Sequence, residues 1–250
     1  MTGRVALVTG ASAGIGEATA RRLDRDGWKL LLVARREDKL EALAGELRDA
    51  SALALDLTEE SAPARVRERV EGEGAGELHL LVNNAGAAWS AEFGEADGGW
   101  ENVRRTMELN FDSVLRLTEA LLPLLRKSAP SAIVNVASTA GRVARPGVGA
   151  YSASKFALAG WSDALHLEEK PHGVHVGTVL PGFIATEGFP QTQLVNKPHT
   201  RWIVSTPEKA AEAIMDAGPG GKAERYVPRA YGLLAVLRAA APAVLRRATG

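Results

Sequence analysis

The chain has 250 residues, 46% of them hydrophobic and 24% charged, which supplies a sizeable core and argues against a disordered chain. Thirty basic side chains balance thirty acidic ones, so there is no long-range positive field of the kind that gathers nucleic acid or an anionic membrane. The complete lack of cysteine excludes disulfides, thiolate metal sites, iron–sulfur clusters and a cysteine nucleophile.

At roughly 150 residues per domain the length allows one or two domains, and the absence of any internal repeat, low-complexity tract or long linker favours a single domain over 1–250. Only four apolar residues, at 5–8, stand between Arg4 and Thr9-Gly10. That is too few for a signal-peptide core, and a cytoplasmic location is expected. No window approaches the ~18 uncharged apolar residues of a transmembrane segment; the nearest, 233–245, contains Arg238 and Pro242.

In chain order, short β-branched or leucine-rich runs at 5–8, 30–34, 52–55, 78–82, 132–137 and 174–180, with a short seventh at 225–227, read as strands. Segments of helical period fall between them, at 15–25, 37–49, 63–70, 100–125, 151–169 and 207–217. This alternation predicts an α/β fold: one doubly wound, mostly parallel seven-stranded sheet with helices on both faces. The last helix has a clear start. Thr206 offers a side-chain acceptor, Pro207 a preset φ, and Glu208 a carboxylate at the positive end of the helix dipole. Residues 183–205, with Pro190 and Pro198 among scattered polar residues, break any period and read as a lid loop over the carboxyl edge of the sheet. A helical extension is expected over 229–250.

After the first strand comes Thr9-Gly10-Ala11-Ser12-Ala13-Gly14-Ile15-Gly16. A pyrophosphate reaches a helix N-terminus only where no Cβ intervenes and the chain turns sharply, and the exposed N–H groups and dipole then hold the anion. Tyr151 and Lys155, four apart in a helix, share one face. A phenol with a free pKa near ~10 is a poor base at neutral pH, but a neighbouring ammonium favours its phenolate and suits it to acid–base work.

The spacing Gly10-x-x-x-Gly14-x-Gly16 resembles the short-chain dehydrogenase/reductase family, and further matches follow in order. They are Asp56-Leu57 after the third strand, Asn83-Asn84-Ala85-Gly86 after the fourth, Asn110 in the long helix, Ser138 after the fifth strand, Tyr151-Ser152-Ala153-Ser154-Lys155, and Pro181-Gly182 with Thr186. The resemblance covers about residues 5–186 and implies a Rossmann-type oxidoreductase. It implies that Asp56 contacts the adenine amino group and that Asn83 and Gly86 border the adenosine ribose. Ser12, Ile15, Leu57, Ala85, Pro181, Gly182, Ile184 and Thr186 complete the implied cofactor contacts. Ser138 and Tyr151 would bind the substrate oxygen, Lys155 would also hold the nicotinamide ribose, and Asn110 would anchor a water leading from Lys155 to solvent.

Charge separates the two cofactors. A carboxylate about twenty residues beyond the glycines pairs with the 2′-hydroxyl of NAD and would repel the 2′-phosphate of NADP. Here the second strand ends Val33-Ala34-Arg35-Arg36, with no acid at its tip. Arg35 offers the planar fork that matches phosphate oxygens, with Arg36 as the alternative, so NADP(H) is expected.

The expected activity is hydride transfer between NADP(H) and a carbonyl or alcohol, in the direction of reducing a hydrophobic ketone or aldehyde. A sensor that binds NADP(H) without reaction is the alternative, because fold alone does not fix function. Trp89, Phe93, Phe183, Phe189 and Trp202 are candidates for an apolar pocket, or equally for core. The family resemblance implies a homodimer or homotetramer through the helices around Leu115 and Phe156. His79, His166, His172, His175 and His199 form no ligand spacing, and no metal is expected. Leu233, Leu237, Val244 and Leu245, with Arg229, Arg238, Arg246 and Arg247, form an amphipathic segment that could lie on a membrane, on the lid, or on another subunit.

Overall fold

A strand in the middle of a parallel sheet is covered on both faces, so its apolar run is continuous rather than alternating. The computed structural model, which describes residues 3–73, 76–186 and 203–249, follows this rule. β1 (Val5–Thr9), β2 (Lys29–Ala34), β4 (Leu80–Asn83), β5 (Ser131–Val136) and β6 (Val174–Pro181) are almost wholly buried. The edge strands β3 (Ala50–Ala54) and β9 (Glu224–Val227) are half-exposed. The order is β3-β2-β1-β4-β5-β6-β9, and every pairing is parallel.

Alternate strand residues feed two separate cores. Ala6, Val8, Leu30, Leu32, Leu80 and Val82 pack under α1 (Gly14–Arg25), α2 (Glu37–Glu46) and α7 (Pro207–Ala217). Leu7, Leu31, Leu81 and Ile133 pack under α3 (Ala62–Glu73), α5 (Ser113–Lys127) and α6 (Gly149–Glu169). The order reverses between β1 and β4, and a doubly wound sheet opens a crevice at such a reversal, beyond the carboxyl ends of its strands.

Three features depart from the sequence-based expectations. The helix expected at 100–125 is not uniform: α4 (Trp100–Met107) passes into a π-helical turn, Glu108–Asp112, before α5 resumes. The widened turn carries Asn110, which is fully buried. The helix expected at 37–49 stops at Glu46, and β3 begins at Ala50. The stretch 183–205 is not loop throughout, because β7 (Phe183–Ile184) and β8 (Val204–Ser205) pair in parallel and tie its two ends together. Residues 187–202, including Phe189, His199 and Trp202, lie outside the described residues.

The start of α7 is as expected: the Thr206 hydroxyl accepts from Lys209 N at 3.5 Å, and Pro207 opens the helix. After β9 the chain forms α8 (Tyr231–Ala240) and α9 (Pro242–Thr249). Among the described residues no helix is long and apolar enough to cross a membrane, and no group of potential ligands is placed to hold a metal.

Candidate active site

A cleft of about 1430 Å³ opens over the carboxyl ends of the strands. Its floor begins at the glycine turn. Gly10 and Gly14 have φ of +65° and +58°, a conformation side chains resist. A Cβ on Gly10 would stand 2.9 Å from the Ala85 Cα, and one on Gly16 would stand 2.3 Å from the Gly10 carbonyl oxygen. Gly16 therefore does not line the cleft; it lets α1 pack against the turn. Ala13, the residue before α1, provides no side-chain cap, which leaves the first N–H groups of that helix to an incoming acceptor. The turn is fastened to the next strand by Thr9. Its hydroxyl donates to Val82 O at 3.1 Å and accepts from the N–H groups of Asn84 and Ala85 at 2.9 and 3.0 Å.

Both arginines after β2 line the cleft. Arg36 folds over the turn and donates to the Ser12 carbonyl oxygen and hydroxyl at 3.2 Å each. Arg35 extends outward, 3.8 Å from Asp56. Asp56 accepts from the Thr58 N–H and hydroxyl at 3.0 and 2.8 Å. Burial pushes its pKa up, but the Thr58 bonds and the Arg35 charge outweigh that and hold it below the usual value.

Ser12, Ile15, Leu57, Ala85, Gly86, Pro181, Gly182, Ile184 and Thr186 all line the same cleft. Asn83 does not. It shares a strand face with Leu81 and points beneath the cleft, where its Nδ2 donates to Thr118 and Asn135 at 3.1 and 2.9 Å. Asn135 in turn donates to Ser162 at 2.8 Å, completing a buried link from β4 through β5 to α6 that no motif announced. Its neighbour Asn84 does the work at the surface, donating to Thr9 O at 2.9 Å.

Ser138, Tyr151 and Lys155 converge at the other end of the cleft. Ser138 sits just past β5, where its hydroxyl donates to Pro181 O at 3.3 Å and accepts from Ala140 N at 3.1 Å. Lys155, one helical turn from Tyr151, has its Nζ 5.9 Å from the centre of the tyrosine ring and donates to Val136 O at 2.9 Å. Asn110 lies behind this group rather than on its surface. Its Nδ2 donates to Ala87 O and Ser154 Oγ at 2.8 and 3.1 Å, and its Oδ1 accepts from Ala87 N at 2.9 Å.

The electrostatics differ from the expectation of a phenol acidified by its lysine neighbour. Burial raises the Tyr151 pKa; the Ser138 hydroxyl and the Arg145 charge offset this only in part, and Lys155 is not among the groups that lower it. Lys155 is itself buried, and desolvation lowers its pKa to about 8.

Of the aromatic candidates, Phe183 lines the cleft with Arg145 stacked 4.8 Å above its ring. Trp89 lies instead against Arg105, and Phe93 is exposed to solvent. The wall of the cleft includes residues that sequence reasoning missed: Arg142, Arg145, Ile203, Tyr226, Tyr231 and Leu234. A Cβ at Gly182 would fall 2.4 Å from the Tyr231 ring, so that bare backbone is what admits the C-terminal segment to the cleft. Tyr231 then donates to Ile203 O at 3.1 Å.

With this geometry in view, the comparisons with known proteins are specific. Residues 4–194 match the model of the short chain dehydrogenase family. The chain is 36% identical over 221 residues to nodulation protein G of Rhizobium sp. (strain N33), covering 88% of this chain and 83% of that protein. It is 34% identical over 187 residues to the 3-oxoacyl-[acyl-carrier-protein] reductase FabG of Escherichia coli (strain K12), covering 74% of this chain and 75% of that one. A crystal structure of a short chain dehydrogenase from Burkholderia cenocepacia J2315 in complex with NADP superposes with a TM-score of 0.83 at 31% identity, covering 99% of this chain and 97% of the other.

Proposed function

This chain belongs to the short-chain dehydrogenase family, and from that premise we propose that it exchanges a hydride between NADP(H) and a carbonyl or alcohol, chiefly reducing a hydrophobic ketone or aldehyde. The observation that carries this reading is the convergence of Ser138, Tyr151 and Lys155 on the same cleft as the uncapped N-terminus of α1. At about 1430 Å³ the cleft exceeds the roughly 300–1,000 Å³ of a drug-sized site, which leaves room for a dinucleotide and a substrate together.

The residues present fit the cofactor. Bare backbone at Gly10 and Gly14 and free N–H groups at the start of α1 suit its pyrophosphate. Arg35 and Arg36, beside Ser12 and with no carboxylate at the tip of β2, suit a 2′-phosphate, and the Burkholderia neighbour was solved with NADP. When bound, the nicotinamide supplies or accepts the hydride. Ser138 orients the substrate oxygen, and Tyr151 gives that oxygen its proton in reduction or takes it in oxidation. A phenol whose pKa is raised by burial holds the proton that a carbonyl oxygen takes up in reduction. Asn110 acts from behind, fixing Ala87 and Ser154. Phe183, Ile203 and Leu234 supply an apolar wall, in keeping with a carbonyl carried on an apolar chain, as in the 3-oxoacyl reductase relative.

A cytoplasmic homo-oligomer, paired through α5 and α6 where Phe156 is exposed, completes the proposal. The test is NADPH consumption with a panel of apolar ketones and aldehydes, for the wild type and for Tyr151→Phe. Loss of about 10²–10⁴-fold in turnover with NADPH affinity intact is expected. An active Phe variant would refute the proton-transfer role. NADPH binding with no turnover across the panel would favour the sensor reading.

A further inference from the structure

No residue of helix α8 (Tyr231–Ala240) is buried. Ten residues gain too little from their own hydrogen bonds to stand as a free helix in water, so α8 depends on what covers it. Its inner edge meets the protein, where Tyr231 and Leu234 border the cleft. Its outer face carries Leu233, Val236 and Leu237, spaced three and four apart and therefore side by side; the first two are 74% and 66% exposed. Val244 of α9 (Pro242–Thr249) adds a further apolar side chain at 57% exposure.

Charge identifies the covering surface. Glu224 is the last acidic residue of the chain, and residues 225–250 contain five arginines and no aspartate or glutamate. The preceding 224 residues therefore carry thirty acids against twenty-five bases, so the overall neutrality conceals a segregated positive segment. Arg225 pairs with Asp216 on the body of the protein. Arg229, Arg238 and Arg247 form no ion pair among the described residues. A second copy seated on this face about a two-fold axis would bring together two segments that carry arginines and no acidic side chain. An apolar ridge in a segment whose described arginines make no ion pair beyond Arg225 matches a layer with anionic headgroups above acyl chains.

We infer that α8 and α9 form a docking face for an anionic lipid bilayer. Leu233, Val236 and Val244 would enter the boundary between headgroups and acyl chains, with Arg229, Arg238 and Arg247 against the phosphates. The mouth of the cleft, walled by Leu233 and Leu234, would then open at the lipid surface, where apolar molecules concentrate. This inference goes beyond the proposed reaction and does not depend on it.

The experiment uses the full chain, sedimented at low salt with vesicles of phosphatidylcholine alone or of phosphatidylcholine mixed with phosphatidylglycerol. Pelleting with the mixed vesicles only, reversed by added salt, is expected. At about a fivefold contribution per arginine, Arg238→Gln with Arg247→Gln should weaken partitioning about 25-fold. Val236→Asp with Val244→Asp should abolish it. Melting temperature and NADPH affinity, measured on each variant, confirm that it is folded; the lipid and salt dependence of the wild type stands as a test if a variant is not. Equal binding to both vesicle types, or none to either, overturns the inference. So does a loss of oligomeric state in Val236→Asp by light scattering, which would make a second copy the occupant.

Discussion

Replacing Lys155 by methionine should make the cofactor-free protein more stable while removing its activity. Lys155 is 4% exposed, and among the described residues the only hydrogen bond its Nζ makes is to Val136 O. A pKa brought from 10.5 to about 8, at about 1.36 kcal/mol per pH unit, corresponds to roughly 3 kcal/mol of unfavourable burial of the ammonium. Methionine has similar length and no charge, and forgoes a hydrogen bond worth about 1 kcal/mol. A net gain of about 2 kcal/mol follows, or roughly 4–8 °C in melting temperature for a domain of this size. The pH dependence fixes the sign. Below about pH 8 the lysine holds its proton in both folded and unfolded chains, and the cost is present in full. Between about 8 and 10.5 the folded chain sheds the proton while the unfolded chain keeps it, so wild-type stability rises relative to the variant. Guanidinium unfolding at pH 7 and again near pH 10 measures both effects. A variant no more stable than wild type at pH 7, or an advantage that persists unchanged near pH 10, would refute the reasoning.

Three further outcomes are expected. Arg35→Asp should weaken NADPH binding roughly 10–100-fold, the range for losing a charge-assisted hydrogen bond, and move preference toward NADH; equal affinity of the wild type for both cofactors in a titration would remove the basis for this. Gly10→Ala should lower the melting temperature and the cofactor affinity together, since alanine at φ +65° costs about 1–2 kcal/mol before its Cβ meets Ala85 at 2.9 Å; calorimetry with and without NADPH reads both. Arg145→Glu removes a charge that lowers the Tyr151 pKa, so the pH at which alcohol oxidation gains its phenolate should move to higher values, and the alkaline loss of carbonyl reduction should move with it. Unaltered pH–rate profiles would show that Arg145 exerts no such field.

The sheet and the glycine turn could be read from residues alone, because central parallel strands are continuous apolar runs and because the positions of Gly10 and Gly14 demand a backbone few residues adopt. The Tyr151–Lys155 pair followed from helical spacing, although its electrostatics did not: spacing brings an ammonium near a phenol, but burial decides which protonation state each prefers. The orientation of Asn83 was within reach, since strand parity places it on the same face as Leu81, toward α5 and Thr118. The π turn at Asn110 was not, because it rests on contacts with Ala87 and Ser154 that lie far apart in sequence. Arg145, Tyr226 and Tyr231 escaped for the same reason: the strand order that gathers their segments at one end of the cleft leaves no local trace.

That strand order has a thermodynamic consequence. Gly10, Arg35, Asp56, Ala85, Ser138 and Gly182 each follow a different strand, β1 through β6, so that any fragment lacking one crossover lacks one side of the binding cavity. Ligand affinity is thus a property of the completed topology, and occupancy strengthens the whole cooperative unit rather than a local patch, by about 2.7 kcal/mol at a hundred times the dissociation constant. During refolding, the capacity to bind a dinucleotide should emerge with the last and slowest pairing, since long-range parallel contacts form late.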